Sequence, residues 1–224
     1  MGIGWKALGA IGYGLPIASV VLIGMIVKGV QENLNLGIFL WLVSLLFIGS
    51  AWYLLGDESK QKGYKIFGVI ATASFVINGY IFREIRAFVE SVKEASIEML
   101  SFTKSSILWL AVISLFLIAL FTLSEIIALS HASGAFNERF LKWSAWTKAI
   151  ALSLIILGFA SFIPAIGDLL KSLISKEIAL TSIFLPLTSL SLGAILYVIA
   201  SIFAMIGFLD LRVKVNKYTE IKVE

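Results

Sequence analysis

The sequence contains no cysteine, one histidine and only three prolines among 224 residues. Without a thiol, this chain has no disulfide, no thiolate metal site and no cysteine nucleophile. A single histidine, His131, is too few for bis-histidine haem or a multi-histidine copper site, and iron–sulfur clusters need cysteine ligands. We therefore expect no metal ion and no cofactor.

Glutamine is also scarce, since only Gln31 and Gln61 are present. Few glutamines, no cysteine and many isoleucines and leucines are typical of proteins from hot environments, and they hint at a thermophile. An apolar membrane composition produces much the same bias, so both explanations stay open.

Charge is sparse as well: 14% of the residues are charged and 59% are hydrophobic, with a mean hydropathy of +0.99. A bilayer core about 30 Å thick is crossed by about 20 apolar residues in a helix. Six apolar runs approach this length, which predicts an all-α integral membrane helical bundle in a single domain, 1–224. The predicted spans are 8–27, 37–55, 66–82, 106–130, 146–163 and 186–211.

The segment 83–104, between the third and fourth spans, is amphipathic. Apolar residues such as Ile85 and Phe88 recur near helical spacing, against charged residues such as Arg86 and Glu90. This pattern predicts an amphipathic helix that either lies on the membrane surface or extends the third span into water. A solvated face is favoured over a dedicated partner site.

Glycine, asparagine and proline mark the ends of the later spans. Gly134 suits the C-terminal cap of the fourth span and Asn137 the N-terminal cap of the fifth, which predicts a tight hairpin. Pro164 and Asp168 are expected to end the fifth span. The sixth begins near Thr181 or, with Pro186 in its first turn, slightly later.

The basic residues predict an orientation. With a cytoplasmic N-terminus, the inside segments hold eleven Lys and Arg and the outside segments hold seven. The positive-inside rule then places both termini in the cytoplasm of a cell-membrane protein. The same rule and contact with anionic lipid account for the net charge of +4, so we expect membrane lipids, other membrane subunits or self-association as partners, and no nucleic acid.

Glu125 is the ionisable residue that most clearly interrupts a span, and such a residue is a functional candidate by default. It continues a helical stripe that points toward neighbouring helices: Ala111, Ser114, Ile118 and Thr122. With a turn near Ala135, antiparallel pairing places Glu125 within reach of Lys142 or Lys148. A structural hairpin ion pair is favoured over a proton or cation site.

Two further polar residues are candidates. Asn78 shares a face of the third span with Gly68, Ala71 and Thr72 and suits an interhelical hydrogen bond, with packing as its default role and a small-solute cavity as the alternative. His131 lies at the end of the fourth span, where the helix dipole favours a cation, and is interpreted as a capping or surface residue.

Two segments carry a resemblance. The run 52–59 ends in Leu55-Gly56-Asp57, and the next helix opens with Lys65-Ile66-Phe67-Gly68; the closing segment 206–211 is similar in style. These segments resemble an archaeal and bacterial family of small multi-pass membrane proteins of unknown function, over about a third of the chain. The resemblance implies a membrane class and no activity.

No catalytic constellation occurs at recognisable spacing, whether paired intramembrane aspartates, a serine with a basic partner or a metal-ligand cluster. We therefore expect a non-catalytic protein, serving as an accessory or scaffold subunit of a larger membrane complex. The alternative is a small-solute transporter or the substrate-binding membrane component of one.

Overall fold

The fold was analysed in a computed structural model, which describes residues 3–24, 30–92, 97–175 and 180–211. These residues form six helices and no strand. The helices are α1 (Ile3–Gly24), α2 (Val30–Glu58), α3 (Lys62–Val92), α4 (Ile97–Phe136), α5 (Arg139–Ser175) and α6 (Leu180–Asp210). The predicted all-α class is confirmed for this part of the chain.

Five of the helices contain segments long and apolar enough to cross a membrane. They are Asn35–Glu58, Lys62–Glu84, Phe116–Phe136, Arg139–Ser161 and Phe184–Asp210. Because α1 is not among them, a sixth span stays a prediction. Long apolar helices with outward-facing hydrophobic side chains point to a membrane protein.

The helices form a closed ring. Each packs on the next along the chain, and α6 returns to pack on α1. Neighbours run antiparallel: Trp5 at the start of α1 bonds Glu58 at the end of α2, and Lys6 donates to the carbonyl of Leu209 near the end of α6. The ring therefore has a central axis that side chains from opposite helices can reach.

Small residues set the closest approach between α2 and α3. A Cβ atom added to Gly49 would lie 2.8 Å from the carbonyl oxygen of Gly68, and one added to Gly68 would lie 2.7 Å from that of Gly49. Both positions require glycine, because a side chain would meet backbone that has no freedom to move.

The predicted amphipathic segment 83–104 is not a separate helix. Its first part continues α3 to Val92, and its last part belongs to α4, which begins at Ile97. Residues 93–96 lie outside the described residues. Of the two expected placements, extension of the third span accounts for the first half of this segment.

One expected helix end is wrong and another is confirmed. A break was expected at Pro164 and Asp168, but α5 continues through both to Ser175, since a membrane helix tolerates proline where neighbouring groups satisfy the freed carbonyl. Of the two starts expected for the sixth helix, the one near Thr181 is confirmed: α6 begins at Leu180, and Pro186 lies inside it.

The turn between α4 and α5 also differs from the prediction. Gly134 lies within α4, and Asn137 adopts the left-handed conformation, with φ of 54°. The amide of Glu138 donates to the carbonyl of Ser133, and the Glu138 carboxylate accepts from the amide of Phe140. Asn137 therefore ends α4, and Glu138 caps α5.

Candidate functional site

A buried ion pair lies on the axis of the ring. Glu125 of α4 and Lys148 of α5 have fully buried side chains, and Lys148 Nζ lies 2.5 Å from Glu125 Oε1. Each residue is about ten positions from the turn between its helices, so the pair lies about 15 Å from that end of the ring. Both residues lie near the middle of the apolar segments of their helices, Phe116–Phe136 and Arg139–Ser161.

The position of the turn explains which lysine is the partner. The turn lies at Asn137 and Glu138, later in the chain than the expected position near Ala135. In an antiparallel pair, moving the turn moves the residue opposite Glu125 along α5 by about twice as many positions. Glu125 therefore faces Lys148, while Lys142 is exposed near the start of α5.

Two tyrosines enclose the lysine. Its Nζ lies 4.7 Å from the ring centroid of Tyr13 on α1 and 5.0 Å from that of Tyr197 on α6. Aromatic faces attract a cation, and the attraction grows when water is excluded. Four helices of the ring thus contribute to the environment of one ammonium group.

The Tyr13 hydroxyl is itself held in place. Trp52 of α2 donates its Nε1 hydrogen to this oxygen at 2.9 Å, and the Trp52 side chain is fully buried. Trp52 also contacts the rings of Tyr64, Phe67 and Phe208, at centroid distances between 5.1 and 5.4 Å. This aromatic cluster fills the axis between the ion pair and the two short turns.

The ion pair uses only part of its hydrogen-bonding capacity. Lys148 Nζ has three hydrogens to donate and the Glu125 carboxylate has two oxygens that accept, and one close contact joins the two groups. An unsatisfied buried polar group is costly, so polar groups of this kind are rare and often functional.

A cavity of about 350 Å³ adjoins the pair on the side opposite the aromatic cluster. Five helices line it, α3 being the exception: Pro16, Ser19, Val20, Ile38, Trp41, Ile118, Phe121, Thr122, Leu152, Ile155, Ala194 and Tyr197. Thr122 lies one helical turn from Glu125, and Leu152 one turn from Lys148. The charged pair therefore lies about one helical turn behind the wall of a mostly apolar chamber.

The other candidates lie away from this chamber. Asn78 is buried, and its amide donates to the carbonyl of Ser74 in its own helix; the interhelical hydrogen bond expected of it stays a prediction. His131 is exposed near the end of α4, where its Nδ1 lies 2.9 Å from the Tyr64 hydroxyl. Among the described residues, no group of three His, Asp or Glu side chains could hold a metal ion.

Sequence reasoning missed the aromatic part of the site. Tyr13 and Tyr197 were not singled out, although both lie well inside apolar runs and far from the membrane boundary belts where tyrosine is usually found. A buried tyrosine hydroxyl needs a polar partner, and this requirement was the available signal.

No protein-family model, curated protein or solved structure matches the chain.

Proposed function

We propose that this chain is a non-catalytic membrane protein that binds a small solute in its central chamber, as a transporter or as the substrate-binding component of one. The observation that carries this proposal is the cavity beside the Glu125–Lys148 pair. Pockets of this volume, mostly apolar with a few convergent polar groups, are the usual form of small-molecule sites.

The chemistry of the chamber selects the solute. Its walls are almost entirely apolar, and the adjoining ion pair has no net charge, so the chamber offers little to an ion. It suits a neutral molecule with an apolar body and one polar group. That group would meet the polar side chains of Thr122 and Tyr197 in the chamber wall, next to the buried Glu125–Lys148 pair.

An accessory or scaffold subunit is the second candidate, since the exposed apolar side chains on the outside of the ring offer a surface to another membrane subunit as well as to lipid. In this role, the ion pair would only specify how α4 and α5 pair. For either function we propose six spans with both termini in the cytoplasm, on the strength of the charge distribution.

The first experiment fills the chamber. Ala194→Phe places a ring in the cavity, while Ile195→Phe, at the adjacent and outward-facing position, is the matched control. We expect neutral terpenoid and aromatic alcohols to raise the Tm of the wild-type protein and of Ile195→Phe in nanodiscs, and to leave Ala194→Phe unchanged.

Uptake by proteoliposomes then separates transport from binding alone. If no molecule of this class stabilises the wild-type protein, and native mass spectrometry of its own membranes finds a stable complex with another subunit, the accessory role replaces solute binding.

A further inference from the structure

A second groove lies on the outside of the ring, between α3 and α4, at the end where the two short turns are found. Its volume is about 380 Å³. It is lined by Gln61, Lys62, Gly63, Tyr64, Ile66, Phe67, Ile70, Ser124, Ile127, Ala128 and His131. None of these residues lines the central chamber. The groove is therefore a separate site.

The groove is polar at one end and apolar along its length. Lys62 is the first residue of α3, and Ile66 and Ile70 follow it one and two turns deeper, over about 12 Å. On α4, Ile127 lies one turn deeper than His131. All three isoleucines are exposed on the outside of the ring.

Two groups at the polar end can carry positive charge. Lys62 is exposed and forms no ion pair with a described residue, unlike Lys65, which pairs with Asp57. The Tyr64 hydroxyl holds Nδ1 of His131, which orients the imidazole and leaves its Nε2 unused among the described residues. An amide side chain, that of Gln61, completes this end of the groove.

We propose that this groove binds a phospholipid with an anionic headgroup. One acyl chain lies along Ile66, Ile70 and Ile127, and the phosphate lies against Lys62 and the imidazole of His131. Two observations identify the occupant: the positive end matches a phosphate, and the apolar part lies at the depth where lipid chains are present.

The first test compares lipids. Purified protein in detergent is titrated with phosphatidylglycerol or phosphatidylcholine, and bound lipid is counted by native mass spectrometry. We expect phosphatidylglycerol to bind more tightly, and Lys62→Gln to weaken its binding about fivefold, the typical contribution of one lysine near an anionic lipid surface. Lys142→Gln, an exposed lysine at the same end of the ring, is the matched control and keeps wild-type affinity.

The second test blocks the part of the groove that would hold the acyl chain. Ile127→Trp fills the apolar part of the groove and is expected to weaken binding of both lipids, whereas Leu123→Trp, also exposed on α4 but outside the groove, leaves it unchanged. Because both positions are exposed, neither variant disturbs the interior.

Three results would overturn the proposal: equal affinity for the two lipids, equal effects of Lys62→Gln and Lys142→Gln, or equal effects of the two tryptophans. Glycerol phosphate without acyl chains serves as a further probe. If it binds as tightly as the lipid, the site recognises a free phosphate compound and the lipid assignment is wrong.

Discussion

Two ion pairs among the described residues have the same length in opposite surroundings. Lys148–Glu125 and Lys65–Asp57 both have nitrogen–oxygen distances of 2.5 Å. The side chains of the first pair are fully buried, whereas those of Lys65 and Asp57 are 36% and 66% exposed. Equal distances therefore do not imply equal contributions to stability. Water hydrates the charges of the exposed pair and is excluded from the buried pair.

Removing one charge of the buried pair tests this difference most strongly. In Glu125→Gln, the Lys148 ammonium stays on the ring axis without a counter-charge, which we expect to cost about 3–5 kcal/mol of unfolding free energy. The measurement is equilibrium unfolding in detergent micelles. Unchanged stability would count against an ion pair at this position.

The environment of the pair is expected to matter less than the charges themselves. Tyr13→Phe keeps the ring that faces Lys148 but removes the hydroxyl that accepts from Trp52. We expect a loss of about 1–3 kcal/mol, since the buried indole N–H then has no acceptor. Loss of this hydrogen bond should also change the wavelength or the intensity of tryptophan fluorescence. An unaltered emission spectrum would contradict the prediction.

Removing both buried charges sharpens the comparison. Glu125→Leu combined with Lys148→Met replaces the pair by apolar side chains of similar size, and such replacements are often neutral or stabilising. We expect the double variant to be more stable than either single variant, with a strong positive coupling in the double-mutant cycle. Additive losses would mean that the two groups do not interact.

The exposed pair should show the smallest effect. Asp57→Asn is expected to leave the thermal unfolding midpoint unchanged within experimental error, at low and at high salt, because the partners are already solvated. A midpoint as low as that of Glu125→Gln would show that exposure does not distinguish the two pairs.

Much of the fold follows from the sequence, since apolar length and helical period depend only on neighbouring residues. The helices and their approximate limits, and the buried position of Glu125, belong to this part. The position of the turn did not follow from the sequence, because Asn137 rather than Gly134 adopts the left-handed conformation. This shift of a few residues decides whether Lys142 or Lys148 faces Glu125.

The central chamber and the outer groove between α3 and α4 have no local signature in the sequence. Their walls come from residues far apart in the chain, such as Val20, Ile155 and Ala194, and each alone looks like an ordinary lipid-facing or core residue. Only the closing of the ring brings them together. For the same reason, the approach of Tyr13 and Tyr197 to one lysine depends on helices at the two ends of the chain.

Ring closure also has a consequence for biosynthesis. Within the α4–α5 hairpin, the Glu125 carboxylate and the Lys148 ammonium group neutralise each other, so these two buried groups add no net charge to the pair of helices before α6 has been made. The contact between α1 and α6 can form only after α6 has been made. Until α6 is in place, the flank of α1 that it covers stays open.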